Sequence, residues 1–298
     1  MEKRPFGKTG MNVTVLGFGG AEIGYEGASP ETVRILLNDA LDAGLNVIDT
    51  AECYPNSEEM IGAAVAHRRG EYFLFTKCGH TDTMAGDWRK EPLLRTIERS
   101  LKRLRTDCVD LVQLHSCGLD ELRRGECIEA LETARERGHT RFIGYSGDGA
   151  AARYAVECGR FDALQISVSV ADMEAIDMVL PLAAERGLGV IAKRPVANAA
   201  WRYGAVPPEE KYHTVYWERL RKLDYEFTRR PMPEAISIAL RFTLAQPGVS
   251  TAIVGTKQPG RWRENARLLE AGPLPAEEIA ALRRRWAEVA TPDWVGQT

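Results

Sequence analysis

The sequence of 298 residues has no apolar stretch long enough to span a bilayer, and its opening Met1-Glu2-Lys3-Arg4-Pro5-Phe6 has no hydrophobic run behind the basic residues. A soluble, cytoplasmic chain without a membrane partner is expected. It also lacks a charge excess, with 39 Lys and Arg against 42 Asp and Glu for a net charge of −3. That balance exerts no long-range pull on nucleic acid or anionic lipid. Its six cysteines never fall in CxxC spacing, so buried free thiols are expected in place of disulfides. None of its five histidines forms an HxH pair, the arrangement a metal-dependent barrel hydrolase commonly needs, so no metal is expected. Gly17, Gly19 and Gly20 imitate a dinucleotide fingerprint, but no helix is expected directly after them.

What is present is an alternation. With 44% apolar and 27% charged residues the chain can bury a large core and keep a solvated surface. After a predicted β-hairpin over residues 4–15, short β-prone runs centred near 15, 47, 73, 109, 142, 164, 190 and 251 are each followed by an amphipathic helical pattern. Ser29-Pro30 reads as a helix cap followed by proline in the first turn, and Ser57 as a second cap. A chain of this length with eight β-α units points to one undivided (α/β)8 TIM barrel, spanning 1–298, with an N-terminal β-hairpin and an extra C-terminal helix. Residues 197–232 break the short spacing, and they read either as a functional loop or as a packed surface helix near 209–223.

In such a barrel the reacting groups stand where strands hand over to helices. Applied here, that rule brings Asp49 and Tyr54, Lys77, and His115 to one side of the mouth from three adjacent strands. Each has a task if hydride is delivered to a carbonyl carbon, because the oxygen then needs a proton. Tyr54 is the expected general acid, Lys77 the cation that lowers its pKa, Asp49 the anchor of Lys77, and His115 a donor to the same oxygen.

This constellation resembles the catalytic tetrad of the aldo-keto reductases. The similarity covers nearly the whole chain: Gly7-Lys8-Thr9-Gly10 through Leu16-Gly17-Phe18-Gly19, Asp49-Thr50-Ala51 with Tyr54, and Asp110-Leu111-Val112-Gln113-Leu114-His115 stand in the family's order. The resemblance implies an NADPH (NADP+) cofactor, preferred over NADH, and a small-molecule carbonyl substrate. It assigns the carboxamide to Ser146 and Gln165, with Gly147 where relatives carry asparagine. It assigns the adenosine phosphate to Gly255, Thr256, Arg261, Glu264 and Asn265. The last assignment has its own physics, since a helix amino terminus offers free N–H groups to an anion and Arg261 sits in its first turn. Arg194, after the strand near 190, is expected to stack on the nicotinamide or meet the pyrophosphate. The expected activity is NADPH-dependent reduction of an aldehyde or ketone. The alternative is a nucleotide-binding regulatory or redox-sensing subunit with little turnover. Glu22, Tyr25, His80, Trp88, Trp201 and Tyr203 are candidates for substrate contact.

Overall fold

The computed structural model describes residues 1–80 and 86–297. Strands β1 (Lys3–Pro5) and β2 (Asn12–Thr14) pair antiparallel. Eight further strands follow: β3 (Leu16–Gly19), β4 (Val47–Asp49), β5 (Phe73–Cys78), β6 (Val109–His115), β7 (Thr140–Ser146), β8 (Ala163–Ser167), β9 (Gly189–Lys193) and β10 (Val249–Gly255). They are parallel and hydrogen-bond in chain order, and β10 returns to β3 to close the barrel. Every residue of β4 and β8 is buried, as expected of strands covered by side chains within and helices without.

The amino-terminal end of the barrel is filled by the hairpin. Phe6 is fully buried and stacks on Phe75 with ring centroids 5.4 Å apart. Together with Met11, Val13, Val47, Leu111, Ala163 and Ile191 it forms a core of its own, separate from the larger one between barrel and helices. Gly189 makes room for it, since a Cβ there would lie 2.5 Å from the Phe6 ring.

The outer helices bury one stripe each. In Lys90–Leu104 the buried residues include Leu93, Leu94, Ile97, Leu101 and Leu104, the spacing of one helical face. Ser29 caps its helix as expected, accepting from the Thr32 N–H with Pro30 in the first turn. Ser57 does not. Asn56 precedes that helix in a left-handed conformation, and the Ser57 hydroxyl instead donates to the Gly20 carbonyl and pairs with Thr50, tying the ends of β3 and β4 together. Contrary to expectation, a five-residue helix, Ala21–Tyr25, starts directly after Gly20, and residues 174–186 hold two helices, Glu174–Met178 and Leu180–Arg186, with Pro181 at the start of the second. Of the two readings of 197–232, the packed helix is found as Lys211–Leu223, flanked by 3-10 turns Ala197–Tyr203 and Glu226–Arg229. The extra terminal helix is Ala276–Val289.

Candidate active site

The carboxyl ends of β4, β5 and β6 converge. Lys77 Nζ, 2% exposed, donates to Asp49 Oδ2 at 2.5 Å and to the Thr50 carbonyl at 2.8 Å. The Asp49 carboxylate also accepts from Gln113 Nε2 and Gln165 Nε2, each at 3.2 Å. An ion pair this deep is stable only where every oxygen has donors, and here the two glutamine amides complete the set. Gln113 was not singled out from the sequence, although an amide within strand Val109–His115, in register with Lys77, was its available signal.

Tyr54 closes the group. Its ring centroid lies 5.1 Å from Lys77 Nζ and 5.7 Å from the His115 ring, which stands edge-on to it. The predicted tetrad is therefore one cluster. Its electrostatics differ from expectation on one point. Burial, and then the Asp49 carboxylate, push the Tyr54 hydroxyl well above the usual phenol range, so Lys77 does not draw it down. His115 is held well below the usual imidazole range by burial and then by Lys77, and is neutral. Tyr54 thus keeps its proton at neutral pH, as an acid must before it acts.

Two of the expected substrate contacts stand against this cluster, and a third lies behind one of them. Tyr25 lies 5.6 Å from Tyr54 and His80 5.0 Å from His115, ring to ring, with Trp88 5.8 Å beyond His80. Trp201 and Tyr203 have other business, the first against Phe227 and the second hydrogen-bonded to His213 at 2.9 Å. Glu22 packs over Gly255, where burial pushes its carboxyl up to about 7.

The residues expected to hold a nucleotide fall along the same rim. Ser146 and Gln165 are buried at adjacent register positions of β7 and β8. Gly147 is required where it stands, because a Cβ would come within 2.4 Å of the Tyr145 hydroxyl, which donates to the Cys117 carbonyl. Arg194, in a left-handed conformation, donates to the Ser167 hydroxyl, to Tyr212 and to the Gln297 carbonyl. Lys193 beside it pairs with Asp148 at 2.8 Å. That Asp148 and Ser167 gather around Lys193 and Arg194 was not read from the sequence, because the four lie at or beyond three different strand ends. Across the mouth, Gly255 ends β10, Thr256 accepts from the Gln258 N–H, and Arg261 opens the helix Arg261–Leu268, ion-paired to Glu264 at 2.9 Å with Asn265 half-buried next to it.

The comparisons with known proteins agree with this fold. A model of the aldo/keto reductase family matches residues 15–287. The chain belongs to the aldo/keto reductase family. It is 30% identical to the uncharacterized oxidoreductase YqkF of Bacillus subtilis over 95% of this chain and 96% of that one. It is 28% identical to the L-galactose dehydrogenase of Arabidopsis thaliana, covering 89% and 87%. Among solved structures, the holo form of aldo-keto reductase AKR11C1 from Bacillus halodurans superposes with a TM-score of 0.84 at 28% identity, covering 99% of both chains. Aldo/keto reductases use NAD(P)H, and the residues here fit one. Gln165 turns its amide nitrogen to Asp49 and leaves Oε1 buried without a partner, an acceptor placed for a carboxamide N–H. No described helix is long and apolar enough to cross a membrane, and no group of metal-binding side chains occurs among the described residues.

Proposed function

We propose that this aldo/keto reductase is an NADPH-dependent oxidoreductase that reduces an aldehyde or ketone to an alcohol, with Tyr54 as general acid. The observation that carries the reading is the approach of Tyr54 to both Lys77 and His115 at one end of a closed barrel. The cofactor would supply the hydride. The chain's own work is to orient the carbonyl and protonate its oxygen. Neutral His115 donates a hydrogen bond that polarises the carbonyl, and protonated Tyr54 delivers its hydrogen as charge grows on oxygen. Lys77, fixed by Asp49, lies over the phenol ring and stabilises the phenolate left behind.

Ser146 and Gln165 would hold the carboxamide, with Arg194 at the pyrophosphate. Gly255, Thr256, Arg261, Glu264 and Asn265 would hold the adenosine end. Arg261 supports NADPH over NADH, because a guanidinium on a helix's first turn meets a phosphate with both charge and a paired set of donors. The test is NADPH oxidation by the purified protein with a panel of aldehydes and ketones. Turnover of some carbonyl compounds is expected. Tight NADPH binding with no turnover on any of them would assign the barrel to nucleotide sensing instead.

A further inference from the structure

Cys53 immediately precedes Tyr54, and its Sγ lies 3.4 Å from His115 Nδ1. Either atom can donate in such a contact. The neighbourhood selects one direction. Tyr25, whose ring packs on Tyr54, also hydrogen-bonds to the Cys53 thiol. A phenol is the better donor of those two, and an unprotonated imidazole nitrogen is a far better acceptor than sulfur. The favoured chain therefore runs from the Tyr25 hydroxyl to Cys53 sulfur, and from the Cys53 S–H to His115 Nδ1.

The protonation states allow it. Burial pushes the Cys53 thiol up to about 11, so it carries its hydrogen at neutral pH. His115, held neutral, has one ring proton to place. Around the ring, His80 and Tyr54 meet it edge-on, and Lys77, Lys193 and Arg194 act on it through their charge.

We propose that Cys53 is a positioning residue that accepts no part of the chemistry itself but fixes His115 as the Nε2–H tautomer, the form able to donate to a carbonyl oxygen. Without that thiol the ring proton is free to sit on Nδ1, and a fraction of molecules would present an acceptor to an oxygen that needs a donor. The inference deepens the reductase reading, on which its catalytic meaning rests.

Two-bond proton–nitrogen NMR on the histidine-labelled protein tests it, with the His115 signals assigned by their loss in His115→Gln. The parent should show Nε2–H at His115. Cys53→Ala should show a mixture of tautomers and a kcat lower by roughly threefold to tenfold, the worth of one hydrogen bond, with the NADPH dissociation constant unchanged. Cys53→Ser, which still offers a donor, should restore both readings. An Nδ1–H ring in the parent, an unchanged tautomer and kcat in Cys53→Ala, or no recovery in Cys53→Ser would each overturn the proposal. If the parent reduces no carbonyl compound, the functional reading fails while the NMR signature still decides the role of Cys53.

Discussion

Lys77 Nζ and Asp49 Oδ2 stand 2.5 Å apart with both side chains almost wholly shielded from water. A pair in that position is an organiser of geometry more than a source of stability, since taking two charges out of water costs about as much as their attraction returns. Its effect is to hold a cation at the phenol of Tyr54 through a contact that cannot drift.

Replacing Lys77 with methionine should therefore do two things. The Asp49 carboxylate would keep only the amides of Gln113 and Gln165, a loss of about 3–5 kcal/mol in folding stability. Turnover should collapse as well. In a double variant with Asp49→Asn, chemical denaturation should recover most of the stability while activity stays lost. A Lys77→Met protein that unfolds at the parent's denaturant concentration would contradict this account.

Tyr54→Phe removes one hydroxyl and leaves the packing intact. We expect kcat to fall by about 10²- to 10⁴-fold, the span of general-acid contributions, with NADPH affinity unchanged in a fluorescence titration. Near-parent turnover would remove Tyr54 from its role.

Arg261→Ala tests the cofactor end. A charge-assisted contact to a phosphate is worth about 1.5–3 kcal/mol, so NADPH should bind roughly ten- to a hundredfold more weakly. NADH, lacking that phosphate, should change little. Equal losses for the two nucleotides would show that Arg261 reads something common to both.

Glu22 supplies a pH prediction. Burial raises its carboxyl to about 7, so the protonated form is the one the fold favours. Its stabilising contribution is complete below the unfolded-state carboxylate pKa of about 4.3 and is lost as pH rises through about 7. The melting temperature of the parent should fall between about pH 5 and pH 8 by more than that of Glu22→Gln, whose side chain does not titrate. Parallel curves would mean that Glu22 is better solvated than its place over Gly255 implies.

Gly189→Ala addresses the opposite end of the barrel. The added methyl meets the Phe6 ring, and overpacking of this kind costs about 1–3 kcal/mol. The catalytic rim is remote from it, so the folded fraction should turn over at the parent rate.

Much of this was legible in the sequence, and the reasons differ by level. The barrel strands announce themselves because buried parallel strands are short apolar runs, as in Val47-Ile48 and Phe73-Leu74-Phe75. That Asp49, Lys77, His115 and Tyr54 come together was legible because the first three lie at or next to strand ends and Tyr54 follows Asp49 closely. Gln113 and the Asp148–Lys193 pair were harder, since their meaning depends on which strands become neighbours. Ser57 was misread for a related reason. A serine before a helix suggests a cap, yet the nearby Gly20 carbonyl and Thr50 hydroxyl compete for it and exist as partners only after the barrel closes. The raised pKa of Tyr54 depends on burial depth, which periodicity does not measure.

Because the hairpin fills one end of the barrel with Phe6, a side chain that does no chemistry leaves the strands' other ends, where Tyr54, Lys77 and His115 gather, as the face left for function.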